Sequence, residues 1–409
     1  MSNAKNLKIN QIDKKNISFK ELSLIKNMIF WVDIIPDDQT NKNAIFAKPF
    51  NDKNAIPQKL TGDNFYIKSN FHGYGGKSYQ CIEVNDQIYL IWVDQLSKAM
   101  WLQILRVQEK VPKNDNEYLL CDMEPIQLTE SIKTNFDTSF VISKNNLLYG
   151  LCEIKHRDYL FSLNLKKTKQ EIRIIKKFDN FAGNLSSNIS ADLFSWTEWS
   201  SDSMPWERNE LFFAIIDNDG EIQKIKKFSN KLVNEEKNVS FFQPYWVSDN
   251  ILVCSEDSTG WWNLLFLDLT DITNIILKKR IIKPLTEYGS PQWVSGISFF
   301  SGNIKNLFCV AKKDNSWVLE YYQNCECIKE LKIPFCSIGD LDVYDRKLVI
   351  RGCSFGCFDE LFECDFEEKS HTKLLKEISL ESINEYARPE SFWFKGFNNQ
   401  PTHYIIYKQ

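Results

Sequence analysis

Short apolar runs rich in β-branched and aromatic residues alternate with polar turn clusters along nearly the whole chain. Runs bounded by Asn, Asp, Gly and Ser read as β-strands, because such side chains pack on a pleated surface and the flanking residues turn the backbone. The clearest unit lies between Gln243 and Thr286. There Tyr245-Trp246-Val247 is followed by the turn Ser248-Asp249-Asn250 and the apolar strand Ile251 to Cys254. Glu256-Asp257-Ser258-Thr259-Gly260 makes the next turn and Trp261 to Leu269 a third strand. The segment through Ile281, ending Lys283-Pro284-Leu285-Thr286, supplies the fourth.

The same grammar recurs. Pro291-Gln292-Trp293 opens the next unit, with strands at Leu307 to Ala311, Trp317 to Tyr322 and Cys327 to Ile333. A later copy has Gly339 to Tyr344, Lys347 to Arg351, Glu360 to Phe366 and His371 to Lys376. Looser copies span Glu21 to Leu60, Tyr79 to Leu128, Ser139 to Phe178 and Ile189 to Phe228. A spacing of roughly 40–45 residues is that of propeller blades, and the tally is about seven, within the roughly 4–8 that a ring permits. The expectation is an all-β fold: a single β-propeller of seven four-stranded antiparallel blades over 18–377. A polar segment over 1–17 precedes it and an exit segment over 378–409 follows, in which Ile378 to Ala387 is the one candidate for a short helix. Leu-Thr recurs at Leu60-Thr61, Leu128-Thr129 and Leu285-Thr286, where the leucine fills the gap between sheets and the threonine starts the crossing to the next blade.

Composition supports this picture and removes alternatives. In 409 residues, 43% are hydrophobic and 14% aromatic, enough for a large strand-rich core. The net charge of -4 gives no electrostatic footprint for nucleic acid, and Lys166 to Lys169 reads as a solvated loop. No run of ~18 apolar residues exists, so no membrane helix is expected. Eleven cysteines without a secretory signal read as reduced thiols of a cytoplasmic protein. The C-x-x-C spacing of zinc sites is absent, and neither a metal nor a cofactor is expected.

Gly352-Cys353-Ser354-Phe355-Gly356 fits G-x-S-x-G, and Asp365 and His371 follow in hydrolase order. A nucleophile elbow needs a strand turning into a helix above a parallel sheet, whereas Cys357 to Phe366 is aromatic and β-favouring. Ser354 is therefore expected in a blade loop, and no catalytic residue is assigned. His72-Gly73-Tyr74-Gly75-Gly76 reads first as a turn between the first two blades, with ligand contact by His72 and Tyr74 as the alternative. Trp206, in Met204-Pro205-Trp206, and Trp261 and Trp262, in Trp261-Trp262-Asn263, stand beside turns and either line a central channel or pack between blades. These five residues are the candidate substrate contacts.

Several of these motifs resemble the N-terminal propeller, with its TolB-like repeats, of prolyl-oligopeptidase-family serine peptidases. The similar branch is that of the dipeptidyl aminopeptidases and acylaminoacyl-peptidases. The resemblance is carried by Tyr74-Gly75-Gly76 after His72, by Ser203-Met204-Pro205-Trp206 within Trp196 to Glu210, and by Gln243-Pro244-Tyr245-Trp246. It continues in Asp257-Ser258-Thr259-Gly260-Trp261-Trp262-Asn263-Leu264, in Pro291-Gln292-Trp293-Val294 with Gly296, and in the exit segment Pro389-Glu390-Ser391-Phe392, Thr402-His403-Tyr404 and Tyr407. It implies an α/β-hydrolase partner domain, in cis or in trans, that carries the catalytic Ser, Asp and His. It implies peptides as substrates, and a propeller that gates and selects them but is inactive as an isolated chain. The family's usual Glu after His72 is Gly73 here, so the resemblance implies no carboxylate for a substrate amine at that point. A stand-alone propeller that binds a protein or peptide through loops such as Glu256 to Gly260 is the other reading.

Overall fold

The computed structural model describes residues 20–407 except 36–41, 51, 53, 109–116, 122, 131–133, 234–237, 315, 354–359, 366–369 and 374–388. Strands dominate because neighbouring runs are joined by tight turns whose chirality suits a twisted hairpin. Lys26-Asn27, Asn85-Asp86, Lys155-His156 and Asn324-Cys325 all have both φ values positive. Each pair links directly opposed residues, such as Val84 with Gln87 and Ile154 with Arg157. Two left-handed residues in a two-residue loop match the right-handed twist of the strands they join.

The strands form seven antiparallel four-stranded sheets in a ring: blade 1 (20–59), blade 2 (79–121), blade 3 (135–177), blade 4 (181–227), blade 5 (241–280), blade 6 (286–333) and blade 7 (337–373). Second strands are the most buried; every residue of Ile251–Glu256 is buried. Outer strands such as Ile222–Lys227 are largely exposed. The core accordingly lies between blades. Phe30 and Ile45 meet Trp92 and Leu90 between blades 1 and 2, and Phe213 and Leu211 meet Leu252 and Leu265 between blades 4 and 5. Leu22, Leu24 and Trp31 of blade 1 pack on Val349 and Leu361 of blade 7, which closes the circle.

Each blade is built from one continuous stretch of chain, so the seam is held by side chains and not by an exchanged strand. Leu24 N–H donates to Asp342 Oδ2 at 2.8 Å, and Lys347 Nζ reaches Asn27 Oδ1 at 2.7 Å. Glu21 stands beside this seam, accepting from Ser78 N–H at 2.6 Å. Burial pushes its carboxyl up to about 7, against the opposing pull of the Ser78 hydrogen bonds and of Lys77. A carboxyl raised in the folded state stabilises below its ordinary range and loses that contribution as pH rises through 7. Stability should therefore fall between about pH 4.5 and 7 relative to Glu21→Gln. Urea midpoints across this range check it, and parallel pH profiles for the two proteins would refute it.

The sequence reading counts the blades correctly but misplaces two junctions: blade 4 opens with Phe181–Ser187, ahead of the expected start at Ile189. Thr286–Glu287 does not end blade 5, whose fourth strand is Ile276–Arg280; it pairs instead with Asn306–Lys313 of blade 6. Blade 6 takes its other inner segment from Phe300–Asn303, so Pro291-Gln292-Trp293 is not a strand but part of a segment crossing the ring. The Leu-Thr threonines are buried, and at two of them the hydroxyl caps a third strand: Thr61 Oγ1 accepts from Ile45 N–H and Thr129 Oγ1 from Met100 N–H. The possible helix over Ile378 to Ala387 lies outside the described residues. Among the described residues no helix is long and apolar enough to cross a membrane.

Topology also sorts the loops. In a four-stranded meander, the loops joining second to third strands and those joining one blade to the next emerge on the same face. Residues 60–78, 200–209, 257–262 and 288–299 therefore share one face. The chain enters its first strand and leaves its last on that face too. The hairpin of Pro389–Lys395 and Pro401–Tyr407 agrees with this, since Trp393 Nε1 donates to Asp314 Oδ1 in a second-to-third-strand loop of blade 6.

Candidate functional site

Two long segments, 60–78 and 288–299, are pulled across the ring on this face. The first is pinned to blade 2, where Asp94 Oδ1 accepts from Tyr66 N–H at 2.8 Å, and to blade 3, where Ser69 Oγ donates to Phe136 O at 2.7 Å. The segments then meet. Gly76 pairs with Ser295, and Lys77 N–H donates to Ser295 O at 3.1 Å. Ser295 Oγ donates to Asp137 Oδ1 of blade 3 at 2.5 Å, and Gln292 Oε1 accepts from Asn184 Nδ2 of blade 4 at 2.7 Å. The paired segments thus form a strap tied to blades on opposite sides of the axis.

Beside the strap is a small open cleft of about 50 Å³ lined by His72, Tyr74, Trp199, Pro205, Trp293 and neighbouring residues. Trp293 lies 4.4 Å from Trp206 and 6.2 Å from Tyr74, centroid to centroid. Tyr74 is 73% exposed and Trp293 55%, so large ring faces are left to solvent. His72 has a different environment. Its ring stacks on Phe71 at 3.8 Å, meets Trp199 and Phe181 edge-on, and places Nε2 2.7 Å from Asp158 Oδ2. Asp158 Oδ2 also accepts from Ala182 N–H, while its Oδ1 and Asp137 Oδ2 are buried with no protein partner among the described residues. Burial raises the Asp137 carboxyl, partly offset by Ser295.

A second hollow beside the strap, of about 360 Å³, is lined by the charged residues Glu21, Lys68, Lys77, Asp340 and Arg351 together with Tyr74, Val294 and Ile297. Arg351 Nε donates to Asp340 Oδ2 at 3.0 Å. The face therefore presents aromatic surface and mixed charge side by side. That suits a ligand with an aromatic group on a polar backbone.

Of the five residues singled out from sequence, the structure gathers His72 and Tyr74 at the cleft and sets Trp206 behind its lining, against Trp293. Trp262 is instead buried against Phe242, its N–H donating to Glu287 Oε2 at 2.7 Å, and Trp261 is half-buried in the same loop. Sequence reasoning missed the companions: Trp199, Asn184 and Asp158 gave no local signal, and Trp293 was read as a strand opener. Ser354 lies outside the described residues, but the strands flanking it, Lys347–Cys353 and Glu360–Asp365, pair antiparallel, unlike a nucleophile elbow. Among the described residues no cluster of His, Cys, Asp and Glu is arranged to hold a metal ion.

No protein-family model and no curated protein matches the sequence. Solved structures do match in fold. A puromycin-hydrolyzing peptidase of Mycobacterium tuberculosis is similar with a TM-score of 0.75 at 16% identity, over 95% of this chain and 57% of that one. An acylaminoacyl peptidase of Pyrococcus horikoshii gives 0.59 at 10% identity, over 95% and 57%. Prolyl oligopeptidase B of Galerina marginata gives 0.58 at 9%, over 95% and 54%. The chain thus spans a little over half the length of each. Over nearly all of its own length this seven-bladed ring has the fold of the corresponding part of prolyl-oligopeptidase-type peptidases.

Proposed function

We propose that this ring is the substrate-selecting propeller of a prolyl-oligopeptidase-like serine peptidase, seated with its strap face over an α/β-hydrolase domain supplied in cis or in trans. The observation that carries this reading is the position of the aromatic cleft. It lies beside the strap on the face where the chain enters and leaves the ring, where a domain joined to either end would sit. Substrates reaching such a domain along the axis pass Tyr74 and Trp293. The catalytic serine, aspartate and histidine belong to the other domain, and the ring contributes selection. The setting is the cytoplasm, and the substrates are aminoacyl or acylaminoacyl amides and short peptides. Puromycin is a useful probe because similar solved structures are named for its hydrolysis and because its aminoacyl part carries an aromatic ring.

The test joins this chain to its hydrolase domain and compares aromatic with alanyl aminoacyl naphthylamides. Trp293→Ala is expected to raise KM for the aromatic substrate roughly two- to tenfold, the worth of one aromatic contact, with kcat nearly unchanged. Equal KM changes for both substrates would refute selection by the cleft. The isolated ring is expected to turn over neither substrate. Turnover by the ring alone that disappears in Ser354→Ala would overturn the assignment.

A further inference from the structure

We propose that Cys336 and Cys353 form an oxidisable dithiol, a modification site that staples the first two strands of blade 7 beside the ring seam. Their sulfurs are 3.4 Å apart. Cys336 N–H donates to Cys353 O at 2.9 Å, which fixes the two backbones, and Cys336 Sγ lies 3.3 Å from the same oxygen. Closing the sulfurs to the ~2.0 Å of a disulfide calls for side-chain rotation and little backbone movement.

The surroundings set this pair apart from the other thiols. Cys254 and Cys309 are buried, and desolvation holds both well above the ordinary thiol range. Burial likewise pushes Cys364 up to about 12. A thiol that resists ionisation is a poor nucleophile. Cys336 and Cys353 are only half-buried and stand at the strap-face end of Ser337–Tyr344 and Lys347–Cys353. Exposed Cys121 and Cys327 are more accessible still, but each lies on a different blade from this pair. Accessibility and a neighbouring resolving thiol therefore coincide at Cys336 and Cys353.

The chemistry balances with a hydroperoxide as oxidant. One thiolate attacks the peroxide, the O–O bond breaks, and a sulfenic acid and an alcohol (or water) form. The second thiol then attacks that sulfur, an S–S bond forms and water leaves, so two electrons pass from the sulfurs to peroxide oxygen. The new bond ties together strands that carry Asp340 and Arg351 into the second hollow and Leu341, Val349 and Ile350 into the core. Oxidation should stiffen the blade that meets blade 1.

The experiment treats the reduced chain with graded hydrogen peroxide, alkylates it under denaturing conditions and maps the peptides. The expected product is a Cys336–Cys353 cross-link lighter by two hydrogens, reversed by dithiothreitol, with Cys254 and Cys309 still alkylated. The oxidised wild type should melt higher than the reduced protein. Cys336→Ser should abolish that difference and leave Cys353 trapped by dimedone as a sulfenic acid. Both cysteines recovered free at doses that oxidise Cys121 or Cys327 would overturn the proposal. So would a bond from Cys353 to Cys357.

Discussion

Replacing Glu320 with alanine is expected to cost about 3–5 kcal/mol of folding stability, the penalty for breaking a buried charged network from one side. Glu320 is fully buried on the second hairpin of blade 6. Its carboxylate accepts from Lys283 Nζ at 2.7 Å and from the hydroxyls of Tyr288 and Tyr322, each at 2.6 Å. Burial alone would raise its pKa, but these three donors together bring it below the ordinary carboxylate value. Alanine leaves one ammonium and two buried hydroxyls without this acceptor; the hydroxyls, 3.2 Å apart, can satisfy only one donor between them, so one buried O–H is left orphaned at its full desolvation cost. Because the folded pKa is depressed, the stabilisation is present above the ordinary carboxylate range and is lost as pH falls through the folded value. The control is Glu326→Ala, which removes an exposed pair with Lys279 at 2.7 Å and should change stability by less than about 1 kcal/mol. Urea unfolding of both variants at neutral pH decides the matter. Equal shifts would show that the Glu320 network contributes no more than a surface ion pair.

Blade number and most strand cores were legible because each blade must bury two sheet faces, and that demand writes the same apolar runs at a regular spacing. Glu210–Ile216 and the cores of Leu147–Ile154 and Ser316–Gln323 follow directly from it. The reading failed where a connection is long and itself apolar. Between Glu287 and Phe300, aromatic Trp293 looks like a strand residue, yet its ring packs at a tilt against Trp206 in a loop of another blade. The candidate site was legible only as fragments. His72 and Asp158 are 86 residues apart, and Ser295 and Asp137 are 158 apart. Nothing local in the sequence marks such pairs, because ring closure and not chain proximity brings them together. The glycines after His72 were the clue to the crossing itself. They signalled close backbone approach without saying to what.

That approach makes Gly76 one of the strap positions least able to accept a side chain. A Cβ there would lie 2.7 Å from both Ser295 Cβ and Ser295 O, and 2.8 Å from Ser295 N, at a φ of +155°. Backbone cannot swing aside as a flexible side chain can. Gly76→Val is therefore expected to destabilise by roughly 2–4 kcal/mol, combining overpacking with an unfavourable backbone conformation. Gly73 isolates the second of these effects. Its φ of +80° is equally left-handed, but nothing lies within 4 Å of its Cβ direction, so Gly73→Ala should cost only about 1 kcal/mol. The two variants should also differ in where they act. Gly76→Val forces the crossing segments apart, so the amides of Lys77 and Gln95 should diverge in hydrogen exchange: Lys77, bonded to Ser295 O, speeds up, while Gln95, bonded to Tyr66 O, keeps its protection. Loss of protection at both amides would mean that the segment unfolds as a whole, and an unchanged Lys77 would mean that the strap is not held by its contact with Ser295. Divergence of the two amides alone makes the Gly76–Ser295 crossing the contact that holds the two strap segments together.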